Sequence, residues 1–239
     1  MKTQSGNALW LILIAIFLLG GLTVLLSRAG NQTEDTGSGE KTQIVASEVL
    51  RYGADIETAI KTLLGRGCSE NEISLWHDSN GDNLENSADA NYNSDAPTDH
   101  SCHVFHVDGA GLTFKDAAKK INATLQTQFY TASSAAAYKH IGTDERADVF
   151  LYITGTPAQM NAFCAAANRI GGIAPTGSAP ANVFDPADTG VVNVVATPFT
   201  GTFAADDTSP DENPAGGKKS FCAGISTTRT VYIYAVLAR

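Results

Sequence analysis

The sequence predicts an α+β domain carried behind one N-terminal transmembrane helix and a flexible tether, and three observations predict it. Residues 8–26 read ALWLILIAIFLLGGLTVLL, nineteen positions without a charge. From Glu40 to Gly65 the apolar residues take up a helical period. Beyond that, β-branched and aromatic runs mix with helical ones in no regular βαβ rhythm, which favours an antiparallel sheet with the amphipathic helix packed on it. The expected organisation is a leader at 1–6, a transmembrane helix at 7–27, a tether at 28–40 and one exported domain at 41–239.

The apolar run is about what a helix needs to cross roughly 30 Å of hydrocarbon at about 1.5 Å per residue. Lys2 precedes it, and Glu34, Asp35 and Glu40 follow Arg28. That bias keeps the N-terminus cytoplasmic and exports the remainder. Ser27-Arg28-Ala29 also makes a small-x-small site, so a cleaved secretory signal is the other reading of the same run. Both readings export the domain; they differ in whether it stays in contact with the bilayer through residues 8–26. Arg28 to Gly39 is rich in glycine and small polar residues, which suits a tether.

Within the domain, Val45, Val49, Tyr52, Ile56, Ala59 and Leu63 recur at steps of four and three, a stripe expected to lie on the sheet. A second helix is marked by Thr156-Pro157-Ala158-Gln159, which combines an N-cap, a proline at the first helical position and a capping-box glutamine. Met160, Phe163, Cys164, Ala167 and Ile170 form its expected buried face, and Gly171-Gly172 its end. A third helix is expected over 114–125, capped by Thr113. Strands are expected at 104–107, 148–154, 191–196 and 230–237, the last tied down by pairing within the sheet. The segments 174–188 and 204–219 read as surface loops.

Sixteen basic residues stand against twenty-five acidic ones, a net charge of -9, and the basic side chains are scattered. Such a surface offers no positive field to a phosphate backbone, which argues against nucleic acid as a partner. Four cysteines in an exported domain form two disulfides, with three pairings open. Cys68–Cys102, closing the acidic loop, and Cys164–Cys222, fastening the second helix to the approach of the last strand, are the expected pair. Each would contribute about 3–4 kcal/mol by the chain-entropy estimate.

The short polar leader Met1 to Gly6, ending in glycine and running directly into an apolar helix, resembles that of type IV prepilins and pseudopilins. The resemblance implies peptidase cleavage between Gly6 and Asn7, and a helix that packs into a filament or waits in the membrane. It also implies a helix, an antiparallel sheet and a disulfide-bounded C-terminal region after the anchor. Like subunits or other pilin-like proteins, as in type II secretion, are the implied partners. Leu11 stands at the fifth mature position, where the family usually has a glutamate that pairs between subunits. The resemblance covers about thirty residues; the implied home is a bacterial inner membrane, with the domain in the periplasm or outside the cell envelope.

Asp78, Asn80, Asp82, Asn86 and Asp89 place oxygen-bearing side chains at positions 1, 3, 5, 9 and 12 of a twelve-residue loop, with the Leu84 carbonyl at position 7. Ca²⁺ needs six or seven hard ligands and can collect them from such a segment. The loop resembles the calcium loops of dockerins, with Asn83 where the turn-making glycine would be. The same residues also suit an ordinary turn-rich surface loop, and Asn80-Gly81 a hairpin turn.

His100, His103 and His106 flank Cys102, with His77 nearby in sequence. On the strand expected at 104–107 and its approach, His103 would face away from the other two, so three imidazoles around one ion are not expected. No nucleophile elbow, His-Glu-x-x-His or phosphate loop occurs, so the expected function is non-enzymatic. The pilin-like reading stands beside a tethered periplasmic binding module, calcium-stabilised and without filament assembly. The sequons at Asn31 and Asn122 matter only in a glycosylating host.

Overall fold

The structure is a computed structural model that describes residues 39–78, 81–82, 84–132, 149–173, 196–200, 218–226 and 228–238. The chain divides into two compact units, Met1–Lys41 and Thr42–Arg239. The leader, the Gly6–Asn7 junction, the apolar run and most of the glycine-rich stretch lie outside the described residues, as do Asn80 and most of both expected loops. Among the described residues no helix is long and apolar enough to cross a membrane.

Helix α1 occupies residues 39–65. Its buried stripe is Ala46, Val49, Tyr52, Ile56, Ile60 and Leu63, with Val45 and Ala59 half-buried on its flanks. The period was legible, but the centre of the stripe lies a few tens of degrees from the one expected. The reason is Gly53, which faces the sheet so closely that a Cβ there would lie 2.6 Å from the Tyr234 ring. A glycine carries no apolar signal, yet it lets the helix axis settle onto an aromatic side chain.

A short 3₁₀ turn, Glu70–Glu72, follows, then a long irregular segment and helix α2, Ala118–Ile121. The helix expected over 114–125 is thus only four residues long. Asn122 adopts extended φ and ψ (−154°, 136°), and its side chain takes the Thr124 amide at 3.1 Å, a local bond that competes with continuing the helix. Asp116 and Thr127 finish the turn from outside by accepting the Thr127 and Ala118 amides.

Among the described residues five strands form one antiparallel sheet: β1 Gln128–Ala132, β2 Val149–Gly155, β3 Ala196–Pro198, β4 Ser220–Ser226 and β5 Arg229–Leu237, in the order β3-β1-β2-β5-β4. β2 and β5 match the strongest sequence runs, and β5 is paired on both sides, as its aromatics require. β3 begins at Ala196, where the expected strand ended; residues 191–195 lie outside the described set. The expected strand at 104–107 does not form. Residues 101–110 are successive turns, touched only by an isolated parallel bridge between Ser74 and His103.

Helix α3, Pro157–Gly171, begins and ends as its signals specify. The Thr156 amide and hydroxyl both donate to Gln159 Oε1, at 2.9 and 3.0 Å, and Gly172 closes the helix at φ 67°. Met160, Phe163, Cys164 and Ala167 are buried, whereas Ile170 is 49% exposed. Ala166 and Asn168 take the inner positions that Ile170 would have shared.

The sheet sorts its side chains by alternation. Val149, Leu151 and Ile153 of β2 and Tyr232, Tyr234 and Val236 of β5 join α1 and α3 in the larger core. Phe150, Tyr152, Phe221, Ala223, Val231, Ile233 and Ala235 form a second buried cluster on the other face. Both disulfides are those expected: Cys68–Cys102, with Cα atoms 5.9 Å apart, and Cys164–Cys222, at 5.3 Å. At the rim of the α1 contact, Glu57 receives Lys219, Lys61 at 2.6 Å and the Tyr234 hydroxyl at 3.2 Å. Partial burial there would raise the Glu57 pKa, but the two lysines outweigh it and hold the carboxyl below its ordinary value.

Candidate functional site

Chemistry-bearing side chains collect in the irregular segment between Ser74 and Gly111, so what fixes that segment comes first. Its start and end are joined by the Ser74–His103 bridge, in which the Ser74 amide donates to the Cys102 carbonyl and the Val104 amide to the Ser74 carbonyl, at 3.1 and 2.9 Å. The Cys68–Cys102 disulfide fastens the same point to the end of α1. Two buried asparagines hold the middle. Asn91, in the left-handed region at φ 61°, donates to the Phe129 carbonyl of β1 at 2.8 Å, and Asn93 donates to the Asn71 and Ile73 carbonyls at 2.7 and 2.8 Å. These bonds tie the segment to neighbouring backbone carbonyls where no strand pairing does so.

On that frame, the turns at 100–110 bring the histidines together. His100 sits at φ 59°, which reverses the chain after Pro97 and aims its ring back across the segment. The His100 and His103 ring centroids are 4.7 Å apart, and His106 stacks on His100 at 4.3 Å. The expectation that His103 would face away is therefore overturned, because it assumed strand alternation where there are turns. Asp95, Asp99, Ser101, Asp108 and Gly109 are turn formers around a short β-branched run, and they outweigh it. The Ser101 amide donates to Asp99 Oδ1 at 2.9 Å, and the Asp108 amide to His106 Nδ1 at 3.2 Å.

The fourth member comes from the acidic loop. Glu85 Oε2 lies 2.9 Å from His103 Nε2 and 3.4 Å from His100 Nε2. Side-chain exposure is 1% at His103, 14% at Glu85 and 32% at His100, so the group runs from the core to the surface. Burial pushes the His103 pKa below its ordinary value, outweighing Glu85, which favours the charged ring. Glu85 Oε1 and His103 Nδ1 are both buried without a hydrogen-bond partner among the described residues. Sequence reasoning missed Glu85 because nothing local marks it: it stands eighteen residues from His103 and at none of the expected ligand positions of its loop.

His77 belongs elsewhere. Its ring stacks on Phe114 at 3.5 Å, and burial depresses its pKa. Cys102 is oxidised and offers no thiolate.

Of the expected calcium ligands, the described Asp78, Asp82, Asn86 and Asp89 all accept backbone amides of the loop through their side chains. Asp78 accepts the Gly81 amide at 2.6 Å and Asp82 the Leu84 amide at 2.8 Å. Asn86 accepts the Ala88 amide at 3.0 Å, and Asp89 Oδ2 accepts both the Asn86 amide at 2.9 Å and the Trp76 indole at 3.0 Å. Leu84 is 66% exposed. To bind calcium the loop would have to exchange several of these bonds for the ion; if it does, calcium should raise the melting midpoint of the full chain, and Asp78→Ala and Asp82→Ala should remove the response. A midpoint that is the same with calcium and with chelator eliminates the site.

A surface depression beside α1 is lined by Glu48, Arg51, Tyr52, Asp55, Lys115 and Lys120, of which Glu48 and Lys120 pair with each other. Tyr52 is not a reactive phenol: its hydroxyl accepts the Lys115 amide, and burial pushes its pKa up to about 12. Comparison of the chain with protein-family models, with curated proteins and with solved structures gives no match.

Proposed function

We propose that the chain is a non-enzymatic, pilin-like or pseudopilin-like protein of a bacterial envelope, held in the inner membrane through residues 8–26 and displaying its α+β domain outside the cytoplasm. The observation that carries this reading is the order of its parts. An uncharged nineteen-residue run behind a Gly6 boundary is followed by an amphipathic helix lying on an antiparallel sheet, whose late strand β4 is fastened by a disulfide. Two disulfides and no free cysteine suit an oxidising compartment, which supports export. Leu11 and the glycine-rich stretch at 28–39 favour the second reading, a tethered binding module that does not assemble into a filament.

Mass spectrometry of the mature N-terminus tests the proposal. A chain beginning at Asn7, above all a methylated one, supports it. An intact Met1, or a start at Gly30, overturns it.

A further inference from the structure

We propose that Glu85, His100 and His103 form a binding site for a borderline divalent transition-metal ion, of which Zn²⁺ is the type. One donor atom from each residue lies within 4.8 Å of the other two. Zinc binds imidazole nitrogen and carboxylate oxygen at about 2.0–2.2 Å, so tetrahedral ligands around it stand about 3.4 Å apart. The Glu85 Oε2 distances of 2.9 and 3.4 Å to the two Nε2 atoms are close to that spacing, and the two imidazoles stand within 4.8 Å of each other. An ion between the three atoms would replace the direct contacts of the two rings with the carboxylate.

The choice of ion follows from the donors. Two imidazoles and a carboxylate suit zinc and its neighbours, whereas calcium asks for six or more oxygens. The sulfur of the neighbouring Cys102 is consumed by its disulfide. The unpartnered Glu85 Oε1 is a second acceptor in the group, free to share a cation as the carboxylate turns. Three protein ligands leave the fourth position to water or to a donor from outside the chain, and His100, the most exposed of the three, marks the side from which it would enter.

The ligands are also held before any ion arrives. The bridge to Ser74 and the neighbouring disulfide fix His103, and the left-handed backbone at His100 fixes its ring direction. Asp89 clamped to Trp76, together with the buried Asn91 and Asn93, fixes the loop that carries Glu85. Such a frame lowers the ordering cost of binding. His106 is a supporting ring, stacked on His100 with its Nδ1 turned to the Asp108 amide.

The test is calorimetric titration of zinc into the full chain, purified in detergent and stripped with chelator. One zinc per chain is expected, with affinity falling on the order of 100-fold in Glu85→Gln and in His100→Ala, since even an outer partner of a ligand is worth about 10–100-fold. His103 is spared because its ring is part of the core. Both variants replace partly exposed side chains, so their metal-free melting midpoints should stay near that of the parent. If either fails to fold, cobalt in the unmodified chain decides, because a tetrahedral nitrogen and oxygen site gives an intense visible absorption that hydrated cobalt lacks. Absence of zinc binding, an affinity in both variants equal to that of the parent, or cobalt that stays spectrally octahedral overturns the proposal.

Discussion

Gly109→Ala is expected to destabilise the domain by about 3 kcal/mol or more, the largest effect of any single added methyl group among the described glycines. A Cβ at Gly109 would lie 1.9 Å from the His103 carbonyl oxygen, 2.8 Å from its carbon and 2.9 Å from the His100 carbonyl oxygen. All three are backbone atoms, so no rotamer change relieves the contact. The turn would have to open, losing the Ala110 amide to His103 carbonyl bond at 2.9 Å and the Arg66 guanidinium bond to the Gly109 carbonyl at 2.8 Å. His100 and His103 would leave Glu85 with it, so zinc affinity should fall together with stability. Gly65→Ala is the control: nothing lies within 4 Å of its Cβ position, and stability should hold or rise slightly. Denaturant midpoints of the two variants decide the matter, and a Gly109→Ala midpoint equal to that of the parent would show the turn to be soft.

The second large effect is expected at Asn168, a polar residue on the buried face of α3. Its Nδ2 donates to the Cys222 carbonyl at 3.1 Å, and its Oδ1 accepts the Cys222 amide at 2.8 Å. Among the described residues β4 is the last strand on its side of the sheet, so Cys222 turns these two groups outward, and the asparagine amide answers them as a neighbouring strand would. Asn168→Ala strands a buried donor and a buried acceptor at once and should cost about 3 kcal/mol. The Cys164–Cys222 bond already limits how far the unfolded chain can spread, so the loss falls on the native state. Asn168→Asp gives the sharper reading. The ionised carboxylate faces the Cys222 carbonyl and repels it, whereas the protonated acid donates to it. The variant should therefore be least stable at neutral pH and recover on acidification, as the side chain takes up its proton. A variant whose deficit against the parent is the same at both pH values would refute this account.

Much of the fold was legible wherever local signals and tertiary needs agreed. Thr156, Pro157, Gln159 and Gly172 mark α3 because capping groups satisfy backbone atoms whatever lies beyond. β2 and β5 are central and buried on both faces, so their sequences are apolar almost throughout. β1 and β4 were not read as strands because QFYTA is short and SFCAGIS is diluted by serine, glycine and alanine. Their strand character comes from partners remote in sequence, such as Leu151 for Phe129 and Tyr232 for Cys222.

At the candidate site the disulfide arithmetic was legible and the chemistry was not. The run His103 to Val107 has the composition of a strand, yet the segment is held by a disulfide, two asparagine side chains and a glycine contact, none of which leaves a periodic trace. Glu85 could be found only once the turns had been folded.

The position of β5 also constrains the order of events in the life of the chain. It joins β4 on one side to β2 on the other, yet it is the last of the five strands to be synthesised. Until Arg229–Leu237 emerges, β2 and β4 have no shared neighbour, and the face that receives α1 lacks Tyr232, Tyr234 and Val236. The domain therefore closes late, through contacts far apart in sequence, which makes for slow folding and a prolonged unfolded interval. If the chain is exported as proposed, that delay would keep it in a translocatable form while it crosses the membrane.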